Sequence, residues 1–222
     1  EKNIAIGFGT INGAVTGDKN IAIGYHSMQN ASTTATENIG LGSRTMMALT
    51  SGNNNIGIGN EAGNALTTGT SNISLGFESN HSMTTSIGNV AIGYQAGKAI
   101  ATVGQSKGDK NVLIGYQSGT AITTGGNNVC IGSGAGLTIS TSGGNICIGK
   151  ESGKVISSEA YNICIGYEAG STLGTNSEGT GSNTIIGKSA AATLDTGNSN
   201  VIIGVNANVT NAADSNVVAI GK

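Results

Sequence analysis

From Asn128 to Gly170 the chain reads NVCIGSGAGLTISTSGG, NICIGKESGKVISSEAY and NICIGYEAG, one phrase begun three times at intervals of 17 residues. Each copy opens with Asn, an aliphatic, a small residue, a second aliphatic and Gly. Outward in both directions the opening recurs at Asn3, Asn20, Asn38, Asn55, Asn72, Asn89, Asn111, Asn128, Asn145, Asn162, Asn183, Asn200 and Asn216. The steps are 17, 18, 17, 17, 17, 22, 17, 17, 17, 21, 17 and 16, which makes twelve full repeats and the start of a thirteenth. Self-similarity at so short a period, with β-branched residues at period two, suits one coil of a parallel β-solenoid. No segment has the three- and four-residue apolar spacing of an amphipathic helix. The expected fold is therefore all-β, a single repeat domain over residues 1–222 of about 12 coils, and at ~4.8 Å per coil a rod roughly 58 Å long.

Composition agrees with a thin, repetitive interior. The 222 residues include 38 Gly, no Pro and no Trp; aromatics are 3% and charged residues 10%. An ordinary aromatic core is excluded, as is collagen, which needs Gly at every third position and Pro. Disorder needs low hydrophobicity with high net charge, whereas this chain is 37% hydrophobic with a net charge of -2. No basic run offers a footprint for nucleic acid, and no apolar stretch is long enough to insert in a membrane. The chain opens at Glu1 inside the repeat pattern, so it is expected to be an excerpt of something longer.

Numbering each coil from its Asn, the columns acquire meaning. Asn at position one suits an amide ladder running from coil to coil. Gly at position five, from Gly7 to Gly221, suits a corner needing positive φ or close backbone approach. Positions two and four, such as Ile4 and Ile6 or Val129 and Ile131, share one strand face, and their uniform bulk places them inside. The small eighth position (Ala62, Ala96, Ala135) and the mostly aliphatic twelfth (Leu66, Ile122, Ile139) complete the expected lumen. Position three then points outward. It reads Ala5, Ala22, Gly40, Gly57, Ser74, Ala91, Leu113, Cys130, Cys147, Cys164, Ile185 and Ile202, a small-to-apolar stripe expected to be covered by another copy of the chain. The three cysteines fall in this stripe and are expected to be buried thiols, easiest to retain in a protein assembled in a reducing cytosol.

The near-consensus copies NVAIGYQAG (Asn89 to Gly97), NVLIGYQSG (Asn111 to Gly119) and NICIGYEAG (Asn162 to Gly170) resemble the repeats of phage and virus tail fibres that often end in an endosialidase-type chaperone domain. They are also similar to the head β-roll of trimeric autotransporter adhesins. The resemblance covers the whole chain. It implies a left-handed β-roll, a homotrimer, and a fibre on a virion or bacterial cell surface. The cysteine column favours the virion or phage fibre of the two.

Six of the seven aromatics stand at position six: Phe8, Tyr25, Phe77, Tyr94, Tyr116 and Tyr167. They serve either to stack host-surface sugars or to seal a junction between protomers. The longest steps mark insertions around Val103 to Lys110 and Gly174 to Ser182, each either a receptor-contacting loop or a tolerated insertion. Candidate binding residues are therefore Tyr94, Tyr116, Tyr167, Gln105, Lys107, Asn176 and Glu178. Gly144 to Glu151 imitates a phosphate-binding loop, but Glu151 stands where Ser or Thr must hold magnesium. His26 and His81 occupy different columns, and the carboxylates Glu61, Glu78, Glu151 and Glu168 form an interrupted outward row. Neither pattern pairs groups for acid/base work.

No catalytic residue, metal or cofactor is therefore assigned. The expected function is a structural or adhesive fibre segment, with copies of itself as partner and host glycans or a receptor as further candidates. The alternative is an ice-binding solenoid, suggested by Thr67-Thr68, Thr84-Thr85 and Thr123-Thr124.

Overall fold

The computed structural model describes residues 2–12, 16–30, 34–100, 102–103, 106–156, 160–174, 181–192 and 194–221. Among these there is no helix. They form a parallel β-solenoid of about eleven turns with a spacing of about 17 residues. Thirteen three-residue strands, from Ile4–Ile6 to Val218–Ile220, stack in chain order into one sheet. Like residues pair with like: Val129 with Ile146, Cys130 with Cys147, Ile131 with Ile148. The turns are about one fewer than the twelve coils counted along the sequence. The strand Ile4–Ile6 is exposed at all three positions, and Val218–Ile220 at both ends.

Irregular steps leave the sheet undisturbed. Val90 still pairs with Val112 across the longest step, whose extra residues include a small antiparallel pair, Thr102–Val103 with Ser106–Lys107. The last step of 16 disappears. Val218 pairs with Val201, so the thirteenth coil begins at Val217, whose N–H donates to Asn200 Oδ1 at 2.9 Å. Asn216 instead takes the left-handed conformation (φ 59°) that Ser199 holds one coil earlier (φ 57°).

The Asn ladder is continuous from Asn3 to Asn200. Each Nδ2 donates to the Oδ1 of the preceding Asn at 3.0–3.4 Å. The same Oδ1 accepts the next Asn backbone N–H, as between Asn145 and Asn128 at 3.0 Å. A second Nδ2 proton often closes the coil, as from Asn128 to the carbonyl of Ser142 at 3.0 Å. A primary amide used in this way has no unmet donor or acceptor, which is why it tolerates burial.

At the fifth position the backbone itself demands Gly. Gly132 has φ +133°, and a Cβ there would lie 2.6 Å from the carbonyl oxygen of Gly149 in the next coil. Three further left-handed residues bend most turns; in the coil opened by Asn145 they are Glu151 (φ 55°), Gly153 (φ 52°) and Tyr161 (φ 61°).

The expected inside and outside of the strand are reversed. Position three points into the lumen: Ala22, Ala91, Leu113, Cys130, Cys147, Cys164, Ile185 and Ile202 are fully buried. Positions two and four face outward, and the interior strands read half-buried, buried, half-buried or exposed. The stripe expected at an intermolecular junction, cysteines included, is instead the lining of each chain. The physical reason is space. Eighth-position residues such as Ala62, Ala96 and Ala135 and twelfth-position residues such as Leu66, Ile122 and Ile139 are buried as expected. With those in place, the strand has room to contribute one side chain per coil, and bulk is displaced to the surface.

Candidate functional site

With positions two and four outside, one face of the solenoid is a strip of Ile, Val and Leu from Ile4 to Ile220, interrupted at Thr184. Ile23, Ile58 and Ile92 are exposed, and the remaining interior members half-buried. Thirteen strands at ~4.8 Å make this strip roughly 58 Å long. A contiguous aliphatic surface on that scale exceeds what soluble monomers ordinarily leave to water.

Just past the Gly corner, position six lines the border of the strip. Phe77, Tyr94 and Tyr116 stack as a column with centroids 5.3 and 5.1 Å apart and rings within 11° of parallel. Phe8 and Tyr25 do likewise at 5.7 Å, and Tyr25 also stacks on His26 at 4.0 Å. The faces of a stacked ring are turned onto its neighbours, so the column presents ring edges and phenol groups outward. Tyr94 and Tyr116 are thus brought together, whereas Tyr167 stands apart. Its ring lies between Lys150 and Lys188, 5.5 and 5.8 Å from the centroid, a cation–π arrangement. Hydrogen bonding to Glu168 raises the Tyr167 phenol above its usual range.

Position seven carries a polar column beside the rings. Gln117 Nε2 donates to Gln95 Oε1 at 3.1 Å, and Gln95 Nε2 to Glu78 Oε2 at 2.7 Å. Lys98 Nζ meets the same Glu78 oxygen at 2.6 Å, and Arg44 Nη1 meets Glu61 Oε1 at 2.9 Å. His81, three positions further round the coil than Glu78, reaches Glu61 Oε2 at 3.3 Å. Glu61, Glu78 and His81 place ligand-type atoms within 4.8 Å of one another, a convergence the column reading had missed. Arg44 and Lys98 already supply countercharge there, so the group is built as an ion-pair network. The hydrogen bonds from Lys98 and Gln95 hold the Glu78 carboxyl below its usual range.

Of the remaining candidates, Lys107 ends the short strand Ser106–Lys107. Gln105, Asn176 and Glu178 lie outside the described residues. The imitation phosphate loop is a strand, Ile146–Ile148, followed by the Gly149 corner, with no helix opening after it. In the threonine rows, Thr50, Thr67 and Thr123 turn their hydroxyls to the carbonyls of Thr67, Thr84 and Ser140 at 3.1, 3.1 and 3.2 Å. No helix among the described residues is long and apolar enough to cross a membrane.

No protein-family model matches the chain, and no curated protein and no solved structure matches it either.

Proposed function

We propose that this solenoid is a structural, adhesive segment of an extracellular fibre, a phage or virus tail fibre or a bacterial surface appendage, in which three copies associate into a homotrimeric rod. One observation carries the reading: the outward aliphatic strip along positions two and four. Water would face it over the length of a single chain, and a closed assembly of identical copies covers it without leaving an open end in the plane. The wording of the repeat, similar to that of fibre and adhesin head repeats, supports three as the number. The aromatic edges at position six border the strip and extend the same contact. Surfaces away from it are left to present host-binding elements.

Light scattering coupled to size exclusion reads the assembly directly. Three times the chain mass of 21.8 kDa is expected, and Ile58→Lys/Ile92→Lys, on the strip, is expected to yield monomer or aggregate. A clean monomer of the unsubstituted chain at micromolar concentration overturns the reading. A glycan array probed with the intact trimer separates an adhesive segment from a plain spacer.

A further inference from the structure

Three cysteines stand one above another inside the lumen. Cys130 and Cys147 are in-register partners on adjacent parallel strands, and so are Cys147 and Cys164. None of the three is in a disulfide, and none has exposed surface. Across the lumen each sulfur lies over a glycine: a Cβ on Gly136, Gly153 or Gly170 would come within 3 Å of the sulfur of Cys130, Cys147 or Cys164. The sulfurs therefore stack in a column along the lumen, each walled in by the glycine opposite.

We propose that Cys147 and one of its two neighbours constitute a buried two-thiolate site for a soft, linearly coordinated divalent cation of the mercuric type. Spacing comes first. Metal–thiolate bonds are about 2.3 Å long, so an ion held in line between two sulfurs sets them about 4.6 Å apart, close to the strand spacing of ~4.8 Å. Charge comes next. A net charge in an apolar lumen is costly, and two thiolates cancel a divalent ion. Coordination number then selects the metal: zinc requires four ligands, while the buried hydroxyls of Ser118 and Ser152 already donate to the carbonyls of Cys130 and Cys164 at 2.7 and 2.6 Å. Thiolate softness favours the heavy d10 ions over hard cations. Loading breaks two S–H bonds, forms two metal–sulfur bonds and releases two protons to solvent, with no change in oxidation state.

Because a linear ion takes two sulfurs of three, Cys147 belongs to either arrangement and its neighbours substitute for each other. Titration of the assembled protein with mercuric chloride, followed by thiolate-to-metal absorbance and proton release, is expected to give one ion and two protons per chain. Thiol counting in denaturant should then find one reactive thiol where the unloaded chain has three. Cys147→Ala is expected to lose this site, since Cys130 and Cys164 are two coils apart; Cys130→Ala and Cys164→Ala are each expected to keep it. Alanine is native to this column at Ala22 and Ala91, and circular dichroism melts check that each variant folds. No uptake by the folded protein, uptake unchanged in Cys147→Ala, or zinc binding with equal strength overturns the proposal.

Discussion

In the coils opened by Asn20 and Asn38, the lumen is filled from one wall; in those opened by Asn128, Asn145 and Asn162 it is filled from the opposite one. The first pair has Ala22 and Gly40 on the strand and buries Met28 and Met46 at position nine. A Cβ on Gly40 would meet Met28 Cε at 3.0 Å and Cγ at 3.4 Å, so the methionine occupies the space the strand leaves. The other three put cysteine on the strand and glycine at position nine. Between the two regions, Ser74 and Asn80 share the volume and join by a hydrogen bond of 2.9 Å. Met46 likewise lies 3.3 Å from a Cβ on Gly57 of the following coil, so close packing conserves the sum between neighbouring coils rather than the residue in either column.

That comparison can be broken from either side. Met46→Ala empties the wall that fills the early coils, and a loss of about 3–4 kcal/mol by urea unfolding is expected from the cavity. Gly136→Met imports the early solution into a coil whose cysteine already fills the space. Met28 and Met46 hold the same left-handed backbone (φ 48° and 45°), so the cost there, about 2–3 kcal/mol, is overpacking. Adding Cys130→Gly is expected to recover most of it, and a double-mutant cycle that shows no coupling would refute volume exchange.

The boundary between regions is more forgiving. Asn80 Oδ1 is buried without a hydrogen-bond partner, so Ser74→Ala/Asn80→Met, which copies Ala22 and Met28, is expected to be neutral or stabilising by about 1 kcal/mol in the same assay. Smallest is the pH effect at the polar column. The Glu78 carboxyl is held below its usual range by Lys98 and Gln95, so its contribution is present above the ordinary carboxylate range and fades as pH falls through the lowered value. Glu78→Gln should flatten the acid limb of a pH-stability profile below about pH 4.5, relative to the unsubstituted protein.

Much of this arrangement is legible in the residues. The Asn column, the Gly corner, the small eighth position and the aliphatic twelfth can be read because each repeats one chemical demand in every coil. The sidedness of the strand is not legible from alternation, since period two separates Ile146 and Ile148 from Cys147 without saying which faces inward. Bulk misleads when the enclosed space is narrow. The usable signal was a correlation between columns: Met at position nine beside Gly or Ala at position three, Gly beside Cys or Leu, a compensation that only residues sharing one enclosure require. Residue identity alone points to Asn216 as the thirteenth ladder member, whereas Gly221 fixes the register and leaves the ladder position to Val217. At the surface, the aromatic column is visible from spacing. Stacking of Phe77, Tyr94 and Tyr116, the lysines flanking Tyr167 and the reach of His81 to Glu61 depend on rotamers that spacing does not encode.

The Asn ladder also gives the rod an electrical direction. Backbone hydrogen bonds between coils run both ways, as when Ile21 donates forward to Asn38 and Gly24 back to Ile6, so their dipoles largely offset one another. Every ladder amide donates toward the amino-terminal end and accepts from the carboxy-terminal side. Aligned amides in a low-dielectric column polarise one another, as peptide groups do along a helix. The column is therefore positive at Asn3 and negative at Asn200, and two solenoids lying side by side in parallel are electrostatically distinguishable from two lying antiparallel.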